Sequence, residues 1–363
     1  MSNRVYNFSA GPSALPLEVL ETIQKNLVNY NNSGLSVLEM SHRTPIYEEI
    51  HNGFKAILKD LLNISDNYDI LLLQGGASTQ FDAIPLNLLN GGSADYAITG
   101  NFASKAYQAA KHLSDNVNIA TSSEDNNFTL IKDFSTWTIN PNANYLHLTS
   151  NNTIYGLTYY SFPKTQVPLV VDMSSNIASM EMDLNQFSLI YAGAQKNLGA
   201  AGLTVVIIKK DLIGKASKNC PIMLDYKTQA ENESLYNTPP AFAIYTAFEN
   251  MKWLKQQGGV SAIEKINKQK AKLLYDFIDN STLYKNPVDV KNRSIMNIPF
   301  TTPTKDLDAL FVQQAKENGI ISIKGHKKVG GMRASIYNGM PIEGVGHLIN
   351  FMKEFERSYK NHV

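Results

Sequence analysis

The chain has 363 residues, 43% of them hydrophobic, with Lys+Arg 33 against Asp+Glu 32 and a formal net charge of +1. That length exceeds what one hydrophobic core usually covers, so two domains, or a large one with a smaller appendage, are expected. The balanced charge argues against nucleic-acid or anionic-membrane partners; the single cysteine, Cys220, rules out an intramolecular disulfide and a cysteine-based zinc cluster, and no metal site is expected.

In chain order, the opening MSNRVYNFSAGPSALP lacks the apolar run of an export signal, and no stretch approaches about 18 apolar residues. A cytoplasmic protein is expected. PLEVLETIQKNLVNY then places Leu20, Ile23, Leu27 and Tyr30 at helical spacing behind a proline suited to a first turn, and IYEEIHNGFKAILKDLLNI repeats the pattern. YDILLLQGGASTQFDAIPLNLL reads as strand, glycine turn and helix. Short apolar runs follow at ADYAITG, NVNIAT, NYLHLTS, VPLVVDM, SLIYAGAQ and LTVVIIKK, several separated by helix-like segments. Such alternation predicts an α/β domain with a mostly parallel sheet.

TPPAFAIYTAFENMKWLKQQGG predicts a helix closed by Gly258 and Gly259. Beyond it come a charged helix (VSAIEKINKQKAKLLYDFIDN), a strand (SIMNIPF), a helix (DLDALFVQQAKENG), a strand (IISIKGH) and a last helix (IEGVGHLINFMKEFERSYK). The shift near residue 258 marks the start of a smaller C-terminal α+β domain. The expected division is a large unit over 15–258 and a small one from 1–14 and 259–363.

Two charges stand alone. Lys196 is the sole charged residue from Leu184 to Ile208, and Asp172 the sole one between Thr165 and Met180, at the end of the strand-like VPLVV. Ligands of open α/β sheets gather outside the carboxyl ends of strands, where both charges fall. A structural ion pair between them, or two wet loops, would explain an isolated pair equally well. The small residues of YAGAQKNLGAAG weigh toward function, since they let backbone come close to a bound group.

QGGASTQF adds a glycine turn in which Ser78 and Thr79 offer hydroxyls to cap the helix start and cradle a phosphate, although a two-glycine βα turn alone is more often a plain connection. A phosphate cradle, a strand-end carboxylate and a desolvated lysine are together what pyridoxal 5'-phosphate chemistry needs. The carboxylate keeps the ring nitrogen protonated, and the lysine amine forms a Schiff base. Only five arginines occur; Arg43 and Arg333 stand out, because a guanidinium fork matches carboxylate and phosphate geometry.

At this point the chain resembles the phosphoserine aminotransferases, fold-type I pyridoxal phosphate enzymes. The likeness runs through NFSAGPSALP, SHRTPIYEEI, QGGASTQF, SNNTIYG, VVDMSSN, YAGAQKNLGAAG, YNTPP and KGHKKVGGMRASIYNGMP. The resemblance implies a seven-stranded sheet flanked by helices, a homodimer with active sites at the subunit interface, and ping-pong transamination. In that reaction L-glutamate and 3-phosphohydroxypyruvate give O-phosphoserine and 2-oxoglutarate in serine biosynthesis; a four-carbon phosphorylated homologue in pyridoxine biosynthesis is a second implied substrate.

For the residues, the resemblance implies Lys196 as the Schiff-base lysine, Asp172 on the ring nitrogen, Ala77, Ser78 and Gln195 on the cofactor phosphate, and Thr153 on the ring oxygen. It implies Asn237 and Thr238 reaching that phosphate from the neighbouring subunit, Arg43 and Arg333 binding substrate carboxylate, and His42 with His326 and Lys327 of GHKK helping with the substrate phosphate. Two departures stand out: Phe102 in GNFASKA occupies the place of a stacking tryptophan, and Lys327 in GHK that of an arginine. Within the same fold an aminotransferase for an unphosphorylated 2-oxo acid, or a desulfurase-like lyase, are rivals; a non-catalytic binding protein is a third. Cys220 lies outside any glycine-rich loop, against a persulfide carrier, and the intact Lys196 and Asp172 count against a binding protein.

Overall fold

A computed structural model describes residues 4–359. Its runs of branched apolar residues pair into a seven-stranded sheet: β1 (Tyr68–Leu73), β2 (Ala94–Ile98), β3 (Val117–Ser122), β4 (Tyr145–Thr149), β5 (Leu169–Asp172), β6 (Leu189–Gly193) and β7 (Thr204–Lys209). The order is β1-β7-β6-β5-β4-β2-β3, with every pair parallel except those made by β7, which runs against both neighbours. The central strands are apolar on both faces, as a sheet covered on both sides requires.

The helices are α1 (Leu17–Asn26), α2 (Pro45–Leu61), α3 (Gly76–Leu88), α4 (Asn101–Leu113), α5 (Tyr226–Glu231), α6 (Ala241–Gln256), α7 (Gly259–Asn280), α8 (Lys305–Glu317) and α9 (Ile342–Tyr359). Strand alternation sorts the sheet residues between two layers. Leu148, Val171, Ile190 and Val205 pack with α1, α2 and α6, whereas Tyr145, Val170, Leu189 and Val206 pack with α3 and α4. Asp172 and Tyr191 share the parity of Val170 and Leu189, so both face the α3 side.

A separate core joins Phe8, Leu274 and Ile278 of α7, Phe311 of α8 and Phe355 of α9 to the antiparallel pair β8 (Asn297–Phe300) and β9 (Met332–Ser335). Helix α7 spans both: Val260 and Ile263 lie in the first core, Leu274 and Ile278 in the second. Three buried polar side chains tie α7 to what surrounds it. Asn267 donates to Ser179 O at 2.9 Å and to Asn338 Oδ1 at 2.8 Å, Asn338 donates to Ala178 O at 2.8 Å, and the Lys270 ammonium reaches three carbonyls, those of Ile336, Tyr337 and Met340, at 2.9 to 3.1 Å.

Three local expectations shift. Helix α1 ends at Asn26 and buries Val19 and Ile23; Tyr30 is buried from a 3-10 turn in which Asn31 takes a left-handed φ of 48°, which stops the helix early. IISIKGH is not one strand: Ile320–Ile321 pair in parallel with Tyr6–Asn7, Ser322 turns the chain at φ 60°, and Lys324 then makes a single antiparallel bridge to Met332. The residues MRAS, not foreseen as a strand, form β9. Among the described residues no helix is long and apolar enough to cross a membrane, and no cluster of three or more metal-ligating side chains occurs.

Candidate active site

The parallel register of β5 and β6 sets Asp172 beside Tyr191, and of β4 and β5 sets Thr149 beside Asp172. The chain leaves β6 at Gly193 and returns as β7 at Thr204, so Lys196 sits in the short turn between two strands rather than before a crossover helix. That turn is tied down: Ala194 N–H donates to Leu203 O at 2.9 Å, and Gly199 N–H to Ala194 O at 2.7 Å. Gly199 must be small, because a Cβ there would meet the Ala247 backbone at 2.8 Å. The N-terminal segment packs across it, with the Ser13 hydroxyl donating to Lys196 O at 2.5 Å.

A cavity of about 300 Å³ opens at these strand ends. Lys196, Asp172, Thr153 and Gln195 line it from the sheet side; Ala77, Ser78 and Phe102 line it from the starts of α3 and α4; His326 and Arg333 come from the small core's side. Lys196 Nζ donates to Thr153 Oγ1 at 2.8 Å and lies 5.6 Å from the Phe102 ring centre. Asp172 is 5% exposed, and its Oδ1 accepts the Ser174 N–H at 2.9 Å.

Burial governs the proton equilibria here. It lowers the Lys196 amine to about 8, with Asp172 pulling the other way and Arg333 adding to the fall. It raises the Asp172 carboxyl, opposed by hydrogen bonds from Ser174 and Tyr191 and by the Lys196 charge. His326 is lowered by burial and by Arg333, Lys327, Lys328 and Lys105, so the imidazole is neutral among cations.

Several observations describe what the cavity accepts. Helix α3 begins behind Gly75, whose φ of 99° no L-residue adopts without strain, and no side chain caps it. The Thr79 hydroxyl, expected to cap, instead donates back to Gly75 O at 2.7 Å. The first-turn N–H groups are thus left to an anion, at the positive end of the helix dipole. Gly76 leaves open space where a Cβ would stand. Thr149 Oγ1 and Arg333 Nε are buried without a protein partner. A phosphate-bearing group with a carbonyl and a basic ring nitrogen fits this donor and acceptor set.

The other expected residues lie apart within the single chain. Asn237 lines a different cleft, with Gln74, Gly75 and Thr79; Thr238 is exposed, and its carbonyl accepts from Gln74 Nε2 at 2.7 Å. Arg43 and Lys327 are exposed, His42 is half-buried, and none of the three lines the Lys196 cavity. Sequence reasoning missed Asn151, Ser174 and Ser175 in the lining, and Tyr337, whose hydroxyl is hydrogen-bonded to Thr153 and donates to Ala10 O at 2.9 Å. The serines and Asn151 stood inside quoted motifs; nothing local marked Tyr337.

A lysine in a strand-to-strand turn, a carboxylate at the neighbouring strand end and a bare helix N-terminus on one cavity define a class. The chain belongs to the aminotransferase class-V family, which matches residues 5–348. Within that family the similarity is to phosphoserine aminotransferases. One from Bacillus cereus is 55% identical over 355 residues, 97% of this chain and 98% of the relative. The solved phosphoserine aminotransferase from Bacillus circulans subsp. alkalophilus superposes with a TM-score of 0.96 at 48% identity, covering 98% of this chain and 99% of that one. A pyridoxal-phosphate-bound phosphoserine aminotransferase from Trichomonas vaginalis gives 0.93 at 40% identity over 96% and 100% of the two chains.

Proposed function

We propose that this chain is a pyridoxal-phosphate-dependent transaminase that moves the amino group of L-glutamate to 3-phosphohydroxypyruvate, giving O-phospho-L-serine and 2-oxoglutarate in the cytoplasm. The observation that carries it is the meeting of Lys196, Asp172 and Arg333 on one cavity beside the uncapped start of α3, in a chain about half identical to phosphoserine aminotransferases over nearly its full length.

The bound cofactor supplies an aldehyde that exchanges amino groups and a protonated ring that draws off electron density. Asp172, buried and held by Ser174, would hold the ring nitrogen in its protonated form; the N–H groups of Ala77 and Ser78, with the Gln195 side chain, would hold the phosphate. Thr153, which accepts from the Lys196 amine, would hold the ring oxygen, and Phe102 would pack against the ring. Lys196 Nζ, with its pKa lowered to about 8, would be unprotonated often enough to take the proton from the substrate Cα and deliver it to the cofactor carbon. Arg333, in the cavity, and Arg43 would bind the substrate carboxylate, and His326, with His42 and Lys327, would help with the substrate phosphate; His42, Arg43 and Lys327 lie outside the cavity of their own chain.

The site is completed by a second copy. Asn237 and Thr238 lie outside the cavity of their own chain; Asn237 lines a cleft that Met223 also lines, and Met223, Ile222 and Tyr236 are each at least 41% exposed. We assign this surface to a homodimer in which Asn237 and Thr238 approach the partner's phosphate site.

The test is the visible absorbance of the purified protein. Wild type is expected to show the cofactor band and lose it on adding glutamate, whereas Lys196→Ala shows neither the same band nor turnover. Phosphoserine is expected to drive the reverse half-reaction far faster than serine or alanine; equal rates would show that no phosphate is recognised.

A further inference from the structure

Behind Asp172, on the side away from the cavity, a row of polar rings crosses the sheet inside the α3 layer. Tyr191 of β6 is 0% exposed and stands beside Asp172 in the β5–β6 register, where hydrogen bonding from its hydroxyl acts to lower the Asp172 carboxyl against burial. His147 of β4, 1% exposed, has its Nε2 2.9 Å from the same hydroxyl. Tyr96 of β2 stacks on His147 with ring centres 4.9 Å apart and passes its own hydroxyl to Tyr145 at 2.8 Å. A fully buried histidine and tyrosine carry a desolvation cost, and the lining of the cavity includes neither.

The hydrogen-bond count fixes the direction of this chain. His147 Nδ1 is buried with no partner. If Nδ1 carried the imidazole proton, a buried N–H would be orphaned; if Nε2 carries it, only a lone pair is orphaned, which folded proteins tolerate better. Burial lowers the His147 pKa to about 3, so the ring is neutral and holds one proton. With that proton on Nε2, the Tyr191 oxygen accepts from His147, and the single Tyr191 proton is free for Asp172. The opposite arrangement, with Tyr191 donating to Nε2, requires a protonated Asp172.

The titratable groups facing these residues do not supply the charge control themselves. Tyr96 and Tyr226 flank Tyr191, the Tyr226 hydroxyl is spent on Gln80 Oε1 at 2.7 Å, and Lys196 is the cation that acts on Asp172. Phe81 of α3 closes the row from above, edge-on to Tyr191 at 6.3 Å.

We propose that His147 and Tyr191 are positioning residues that keep Asp172 ionised: His147 donates from Nε2 to the Tyr191 oxygen, and Tyr191 donates to the carboxylate. The tautomer of a histidine one strand beyond the carboxylate thereby selects the charge state that a ring nitrogen needs. This rests on the reading of Asp172 as the ring nitrogen's partner, and the experiment separates the two.

The holoenzyme is loaded with pyridoxal 5'-phosphate labelled with nitrogen-15 in the ring, and the ring-nitrogen shift is followed by NMR against pH. Asp172→Asn is the control: if it leaves the shift unchanged, the Asp172 reading fails and this inference with it. Tyr191→Phe, which keeps the ring and removes only the hydroxyl, is expected to lower the midpoint of ring-nitrogen deprotonation by about one to two pH units and to cut kcat about tenfold with KM nearly unchanged. His147→Leu is expected to do the same more weakly, His147→Gln, which retains a donor at the Nε2 position, to stay near wild type, and the double variant to be no worse than Tyr191→Phe alone. Nitrogen-15 labelled histidine in the wild-type holoenzyme gives an independent reading that needs no variant, with a neutral Nε2–H imidazole expected for His147. A moved signal in Asp172→Asn with an unmoved one in Tyr191→Phe, or an Nδ1–H tautomer at His147, overturns the inference.

Discussion

Lys196 was visible in the sequence because it is alone, and the fold supplies the reason for that solitude. The turn 194–203 links β6 to β7 and buries Ala194, Asn197, Leu198 and Gly199, and at Gly199 even a Cβ would be forced against the Ala247 backbone of α6. What the sequence could not display is the proton affinity, since it depends on burial and on Asp172 and Arg333, placed 24 residues before and 137 after it. A pKa lowered from 10.5 to about 8 means the free amine is lost as pH falls through 8. At pH 7 about one amine in ten is then unprotonated, against fewer than about one in a thousand for an ordinary lysine. Reconstitution of the apoprotein with pyridoxal 5'-phosphate, which consumes the free amine, is therefore expected to accelerate with rising pH and level off just above 8. A rate still climbing at pH 10 would mean an unperturbed lysine.

At the scale of elements, long periodic segments were legible and short pairings were not. The seven apolar runs all became strands of one sheet, because strands buried on both faces must be apolar throughout and so announce themselves. Strand β9 escaped notice: it is four residues long, its one strand partner is the equally short β8, and it carries an arginine in its middle. The start of α3 was recognised for its glycines but assigned the wrong cap. Gly75 holds the left-handed turn, and an added Cβ would stand 2.3 Å from Thr79 Oγ1. Gly75→Ala is expected to cost about 1–2 kcal/mol in backbone strain and, by displacing the first turn, to weaken cofactor retention about tenfold in a dialysis assay with the fold intact. Helix α7 carries a different kind of tie. Lys270→Met would leave three buried carbonyls without their donor, so a loss of about 2–4 kcal/mol in urea unfolding is expected.

For the whole molecule, length and the shift near residue 258 led to an expectation of a larger and a smaller unit, and separate hydrophobic cores are present, but the meeting of distant segments on one cavity was not legible. Arg333 and His326 come from the side of the second core, Lys196 and Asp172 from the central sheet, and Asn237 lines a separate cleft beside the start of α3. Sequence order mixes these three sources, so only resemblance hinted at a site shared between subunits. If it is shared, Lys196→Ala and the Asn237→Ala/Thr238→Ala double variant should each be inactive or nearly so. Mixed and allowed to exchange subunits, they should recover about a quarter of wild-type turnover, since half the dimers are mixed and each mixed dimer has one intact site. No recovery, with subunit exchange verified by mass, would confine each site to one chain.

The reversed strand β7 carries a consequence for how the site accommodates two substrates of different length. A parallel return from β6 would have required a crossover of a dozen residues or more and hung Lys196 on a long, pliable connector. The antiparallel return takes ten residues, pinned to the sheet at both ends, so the amine's travel is limited to the torsions of its own side chain. The lysine is the fixed post of the site; adjustment between a dicarboxylate and a phosphorylated keto acid falls to the arm that bears Arg333 and His326, which is anchored in the other core.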